Sequence, residues 1–566
     1  MKKINKIAVW GLAALAAAFT ACEDNMITGE IDYPVENLSR LFAPVEFKEV
    51  KSLPDGFRIQ WTPVDGAQGY IFQFCADSLF NEGSEEYYAG HPNASRVVLS
   101  DTLVTTATVD TITGLGLEQE YFIRAAAFAN GKEQSHWLVS DRSYKTEARV
   151  VPQVLKEVDR NEVYTSEATV SWYVDMLGEN PMDQLIIKVS GEGTEETTIN
   201  LDAATQMAGQ YTFTGLMEAT SYEVRGHNSA IEGEWGDYNT VSFRTKSGQG
   251  DAVRYDGSTD FNTFLANLPN ASTVFIPVGT TVTCEEAGKQ NNVLISKDVT
   301  IRGESAAGED KPVISVKEFR IVGNVNSITL ENVKIDAGTT GGSYVFNLHK
   351  EDGSVFAGCG VLSFIDCEIT GYANAIIRHQ GNEGTGIDQV VVDNCYIHDF
   401  NLAGSSYALF MFKNADYYVG SFKITNSTFF NIGTNIIEHR LTDTAIHNCD
   451  ATISDCTFQN CGSNSRYMFD FDKTATGTFT LENCVFGSIM DPSTHKGYRA
   501  SNIVSNVRNC YAADDFTFAS SPGILGEIPT FGAPAADIFV DAAGGNLTLT
   551  GVAASFAGTI GDPRWY

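Results

Sequence analysis

Ile328-Thr-Leu-Glu-Asn332-Val333 returns along the chain as Leu362-Ser-Phe-Ile-Asp366-Cys367, Val390-Val-Val-Asp-Asn394-Cys395, Phe422-Lys-Ile-Thr-Asn426-Ser427, Ala451-Thr-Ile-Ser-Asp455-Cys456, Phe479-Thr-Leu-Glu-Asn483-Cys484 and Ser505-Asn-Val-Arg-Asn509-Cys510. Every copy alternates apolar and polar residues like a strand, then ends on Asn or Asp followed by a small residue. Successive Asn/Asp positions lie 34, 28, 32, 29, 28 and 26 residues apart, the variable period of a solenoid whose loops differ in length. The repeating unit is a strand, so the solenoid is a parallel β-helix, in which equivalent residues stack about 4.8 Å apart. An Asn or Asp at every corner suits a left-handed backbone and can bond to the coils above and below. The next position, Val333, Cys367, Cys395, Ser427, Cys456, Cys484 and Cys510, reads as a column packed inside the bend. A linear stack does not give the tetrahedral convergence of a metal centre, so no metal is expected.

Outward from this stretch, Thr259-Asp260-Phe261 opens an amphipathic helix with Phe261, Phe264, Leu265 and Leu268 on one face, suited to plug the open first coil. Five segments align as a second strand after each corner: Phe346 to Lys350, Ile376 to Gln380, Leu409 to Lys413, Ile436 to Arg440 and Met468 to Asp472. Alternation sorts them into two faces. One carries Asn347/His349, Ile377/His379, Phe410/Phe412, Ile437/His439 and Phe469/Phe471, with the histidines read as core residues. The other carries Phe346/Leu348/Lys350, Ile376/Arg378/Gln380, Leu409/Met411/Lys413, Ile436/Glu438/Arg440 and Met468/Asp470/Asp472. This second face is either a solvated surface or a groove for a sugar chain, with Lys350, Arg378, Lys413, Arg440 and Asp472 as binding residues.

The 566 residues carry 38 Lys and Arg against 71 Asp and Glu, a net charge of −33. Acids outnumber bases 36 to 16 over residues 23–250 and 35 to 19 over residues 251–566. Nucleic acid and anionic membrane surfaces are therefore poor partners, and a polyanionic glycan requires a local concentration of bases. Ten of the eleven cysteines follow Cys22, with no paired spacing, and are expected mostly as free, buried thiols.

Before the repeats, Phe57-Arg-Ile59-Gln-Trp61, Tyr70 to Phe74 and Tyr121-Phe-Ile-Arg124 form one pattern, and Ala168 to Trp172, Leu185 to Val189 and Tyr222-Glu-Val-Arg225 form a second. An early core Trp and a corner Tyr are what β-sandwich packing needs. These residues resemble fibronectin type III domains, which makes Trp61, Tyr121, Trp172 and Tyr222 core residues and leaves Trp137 and Trp235 packing on their sheets. Ser247-Gly-Gln-Gly250 reads as a hinge. Val274 to Gly279, Val293 to Gly303 and Val313 to Val316 resemble the first coils of pectin-lyase-like β-helices. At the start, Lys2, Lys3 and Lys6 precede an apolar run too short to span a bilayer, and Phe19-Thr20-Ala21-Cys22 resembles a bacterial lipobox. That resemblance implies lipidation of Cys22, with Glu23 and Asp24 resembling the signal that sends such proteins to the outer face of the outer membrane. An ordinary secreted protein is the alternative.

The expected architecture is all-β: signal peptide 1–21, tether 22–41, fibronectin type III-like sandwiches 42–147 and 148–247, and a right-handed β-helix with a C-terminal cap, 251–566. The whole arrangement resembles Bacteroidetes surface lipoproteins of unknown function that accompany polysaccharide-utilisation systems. It implies a polysaccharide partner, an outer-membrane lipid anchor and neighbouring glycan-uptake proteins. Two functions stay open: glycan binding, or cleavage by a lyase or hydrolase. Elimination would use Arg378 or His379 as base, with Lys413 and Arg440 as neutralisers, and calcium enters only on that route. Hydrolysis would draw on Glu438, Asp470 and Asp472. A structural or adhesive surface protein is the remaining reading.

Overall fold

The computed structural model describes residues 39–566 apart from 77, 79, 81–96, 192, 287–288, 291, 339–340, 349–355, 380–384, 414–416 and 441–446. The leader, Cys22 and most of the tether lie outside the described residues. The chain forms two compact units, one ending at Val150 and one beginning at Val151.

The first unit holds one β-sandwich. Phe47–Leu53, Gly56–Trp61 and Val109–Thr113 form one antiparallel sheet, and Val97–Leu103, Gly69–Cys75, Glu120–Phe128 and Leu138–Val139 form the other. Trp61 is wholly buried against Tyr70 and Phe72 between them. The Tyr121 hydroxyl accepts a 3.0 Å bond from the Gly116 amide, which ties the strand corner together. The second sandwich repeats these devices. Trp172 donates to the Gln206 carbonyl at 3.0 Å, and the Tyr222 hydroxyl accepts from Met217 at 2.9 Å.

The remainder of the second unit is a right-handed parallel β-helix of three sheets with ten, nine and eight strands. The first sheet runs from Val253–Arg254 to Ile503–Arg508, the second from Thr281–Val282 to Tyr511–Ala512, and the third from Asn292–Ile295 to Lys496–Ala500. Alternate residues of each strand fill one continuous core. Phe429, Phe458 and Phe486 stack there nearly parallel, 4.8 and 5.0 Å apart.

The corner between the first and second sheets is made as the repeat requires. Asn332, Asp366, Asn394, Asn426, Asp455, Asn483 and Asn509 all adopt φ between 49° and 54°. Their amides bind neighbouring coils, Asn394 Nδ2 to Asp366 Oδ1 at 2.7 Å and Asn509 Nδ2 to Asn483 Oδ1 at 2.8 Å. The column behind them is buried, and its thiols donate to backbone carbonyls, as Cys395 does to Phe364 at 3.4 Å. All ten described cysteines are free and buried. A second ladder, absent from the sequence reading, closes the other end of the second sheet: Asp399, Asn431 and Asn460 have φ of 54°, 57° and 56°, and Asn460 Nδ2 reaches Asn431 Oδ1 at 3.0 Å.

The helix Phe261–Asn267 plugs the first coil, with Phe261 and Leu265 buried and Asp260 accepting from the Thr263 amide at 3.0 Å. At the far end the chain turns back over the second sheet. There Asp562, fully buried, accepts from Thr428 at 2.7 Å, and Trp565 Nε1 donates to the same hydroxyl at 2.8 Å.

One expectation is overturned. Residues 247–250 do not act as a free hinge, because the second sandwich is bound to the β-helix it precedes. Arg160 reaches Asp393 at 2.8 Å and Asp366 at 3.3 Å, and Thr165 donates its hydroxyl to the Ser305 carbonyl at 2.8 Å.

Candidate functional site

The outer face of the third sheet brings most of the candidate residues together. Its register stacks Phe319, Phe346, Ile377, Phe410, Ile437, Phe469 and Tyr498 in an inner column, and Asn347, Arg378, Met411, Glu438, Asp470 and Arg499 in the column beside it. The alignment of Arg378, Glu438 and Asp470 on one face therefore holds. The first coil differs: Asn347 pairs with Arg378 rather than Ile377, a slip of one residue that exchanges its faces.

A second difference lies at the corner. Ile376, Leu409, Ile436 and Met468, expected outward, are buried in the core together with their successors Ile377, Phe410, Ile437 and Phe469. The Ile376 and Ile377 amides both donate to the Leu409 carbonyl, at 2.8 and 2.9 Å, so the strand bends there and two consecutive side chains face inward.

His379 and His439 point inward and are 0 % exposed, His379 lying 5.6 Å from Phe412. Burial holds both imidazoles down to about 3, so each is neutral, and His439 shares a 2.9 Å hydrogen bond with Thr474. His379 is therefore corrected from base candidate to core residue. Lys350, with His349 and Gln380, lies outside the described residues.

The outer column is not a solvated face. Glu438 is 1 % and Asp470 4 % exposed. Arg499 clamps Asp470 through two bonds, Nε to Oδ1 at 3.0 Å and Nη2 to Oδ2 at 2.5 Å. Both Glu438 oxygens are buried, with no hydrogen-bond partner among the described residues. Burial and then the Asp470 charge push its carboxyl above the usual range, against the opposing pull of Lys413, Arg466 and Arg440. On the next column Asp472 lies 3.5 Å from both Arg440 and Arg499.

Tyrosines hold the cations in place. The Arg378 guanidinium lies 4.8 Å from the ring of Tyr344 and 5.8 Å from that of Tyr407, and its Nη1 donates to Asn347 at 3.3 Å. Arg499 lies 4.4 Å and Lys496 5.3 Å from the ring of Tyr467. Sequence reasoning missed Tyr344, Tyr407, Tyr467, Arg466 and Arg499. Arg499 stands 29 residues after Asp470, one repeat further on, so extending the alignment by one coil finds it. Tyr344 and Tyr467 open their strands, ahead of the aligned segments, and Tyr407 and Arg466 precede theirs, so none falls in the five-residue pattern.

A smaller charged cluster sits on the second sheet. Glu368 accepts from Lys334 at 2.7 Å and is 3.3 Å from His398, whose other nitrogen is 2.8 Å from Asp399. Burial opposes the Glu368 charge, but the His398 and Lys334 bonds outweigh it and hold the carboxyl at about 2. These groups satisfy one another. Among the described residues no cluster of His, Cys, Asp and Glu is arranged to hold a metal ion.

Residues 451–565, the last coils and the returning C-terminal segment, match a family model described as Domain of unknown function (DUF5123). A two fibronectin type III domain segment from chicken tenascin is 15 % identical, covering 36 % of this chain and 99 % of its own, with a TM-score of 0.18. The FN1–FN3 domains of chicken CNTN1 are 17 % identical, covering 36 % and 66 %, with a TM-score of 0.15. No curated protein matches the chain.

Proposed function

We propose that the protein is a surface lipoprotein, anchored through Cys22 at the outer membrane, that binds an acidic polysaccharide for a glycan-uptake system. One observation carries this reading. A chain of net charge −33 gathers Arg378, Lys413, Arg440, Arg466 and Arg499 around Glu438, Asp470 and Asp472 on one face, with tyrosine rings fixing the two end arginines. From Arg378 to Arg499 the column takes four steps, about 19 Å at roughly 4.8 Å per coil, which accommodates several sugar residues. Guanidinium groups suit carboxylates by bidentate bonding, and Lys413 adds a point charge.

Affinity electrophoresis in gels containing polygalacturonate, or dextran as the neutral control, tests this. The wild type is expected to be retarded by polygalacturonate only, and replacing Arg378, Lys413 and Arg440 together with Ala to abolish most of the retardation. Equal migration of variant and wild type, or retardation by neither gel, overturns the assignment.

Glu438 favours a second reading, bond cleavage. A buried carboxyl whose proton is held more tightly than usual, beside an Arg-clamped carboxylate, resembles the unequal pair that glycoside hydrolysis uses, one group donating a proton and the other remaining ionised. On this reading Glu438→Gln eliminates the release of reducing ends while gel retardation persists. Elimination instead, with Arg378 as base, would yield unsaturated uronides that absorb in the ultraviolet.

A further inference from the structure

The corner ladder alternates between Asn and Asp without an evident local reason, since either residue adopts the left-handed conformation. Asp366 shows what the charge adds. Its carboxylate is 3.3 Å from Arg160 and 3.7 Å from Lys246, both from the second sandwich, while still accepting the Asn394 ladder bond at 2.7 Å. Arg160 also bonds Asp393, from the same corner one coil on, at 2.8 Å, and Asn161 is 3.5 Å from the Asn394 side-chain oxygen. From the β-helix side, Lys311 donates to Asn332 at 2.8 Å, and Arg564 donates to the Asn394 carbonyl at 3.1 Å. Cations from three separate segments thus converge on a corner whose acidic members are Asp366 and Asp393.

The contacts just named are all polar or ionic. The cavity left between sandwich and corner, about 410 Å³, is lined by Arg160, Arg244, Lys246, Glu331 and Asp366 among others. The cores on its two sides are separate, one built on Trp172 and Tyr222 and the other on the stacked coils. An interface without a shared apolar core depends on its charges, and partly exposed charges are screened by salt.

We propose that this junction is an ion latch: the second sandwich is held to the β-helix by the charges at Asp366 and Asp393, and is released to move separately when those charges are screened or removed. The backbone between them, Ser247 to Asp251, becomes the joint only in the released state. It is held meanwhile by the bond from the Gly248 amide to Glu218 at 2.8 Å.

The test uses the full chain and subtilisin, reading the rate of cleavage within 247–251. Asp366→Asn keeps a residue that the ladder uses elsewhere and removes only the charge. In low salt this variant is expected to be cut several-fold faster than the wild type, which reaches the same rate only in molar salt. The double variant Arg160→Gln/Lys246→Gln, which leaves the ladder untouched, must behave as Asp366→Asn does. A wild-type rate independent of salt overturns the proposal. So does fast cleavage of Asp366→Asn alone, which would confine Asp366 to the ladder.

Discussion

At the scale of single residues, the β-helix depends on side chains that tolerate what others resist. Asn394 sits at φ 53°, is 3 % exposed, and gives its amide to Asp366. Alanine there would keep the strained backbone and remove both the ladder bond to Asp366 and the oxygen that Asn161 and Arg564 reach, so Asn394→Ala should lower stability by about 1–3 kcal/mol in chemical denaturation. Glu438 works in the opposite sense. Burial and the neighbouring Asp470 raise its carboxyl above the ordinary 4.5, so the folded chain binds more protons than the unfolded chain just above that pH. Its contribution is therefore fully present below about pH 4.5 and is lost as pH rises through the folded value. Glu438→Gln removes this titration. Thermal melts of variant and wild type should coincide in acid, with the variant melting higher at neutral pH.

Elements show where periodicity suffices and where it fails. Strict alternation placed the first sheet and the inward histidines, because side chains there face either a core or solvent; it passed over the second sheet, whose short strands such as Glu368–Thr370 directly follow each corner, so the segments read as second strands form the third sheet. It failed at the start of the third-sheet strands, where two amides share the Leu409 carbonyl and the chain bends. The capping helix was legible because Phe261, Phe264, Leu265 and Leu268 fall on one face. Its weight rests on Phe261, fully buried beneath Tyr255 at a ring separation of 4.8 Å. Truncating such a side chain costs about 3–5 kcal/mol, so Phe261→Ala should shift urea unfolding by that amount, and protease should then attack the first coil earliest. An unshifted midpoint would show that the helix is not the plug of the core.

For the whole molecule, the last residues matter out of proportion to their number. Asp562 is fully buried, its carboxylate accepts from Thr428 and Arg564 at 2.7 Å each, and its amide donates to the Thr457 hydroxyl at 2.9 Å. Arg564 then passes on to Asn394, at the corner where the second sandwich docks. Removing one partner of such a buried pair typically costs about 3–5 kcal/mol, and Asp562→Ala should destabilise the second unit by about that much. A circular-dichroism melt unchanged by the substitution would exclude this strap from the stability of the fold. The charged column of the third sheet is also a property of the whole, since Arg499 belongs to that sheet's last strand and clamps an aspartate from the strand before it.

The sequence by itself determined the repeat, the residue at each left-handed corner between the first and second sheets, the buried thiol column, the cap and the two sandwich cores. Each follows from a local rule: period two, a small set of residues suited to positive φ, or an aromatic that has no other place to go. The outward placement of Arg378, Glu438 and Asp470 was legible for the same reason. Only the tertiary structure decided that Glu438 and Asp470 are buried rather than solvated, that tyrosines at or before the strand starts lie against the cations, and that the second sandwich is fastened to the corner ladder. Those outcomes depend on which coil or module lies across a given side chain, and partners up to 233 residues away, as Arg160 is from Asp393, leave no pattern in a window of sequence.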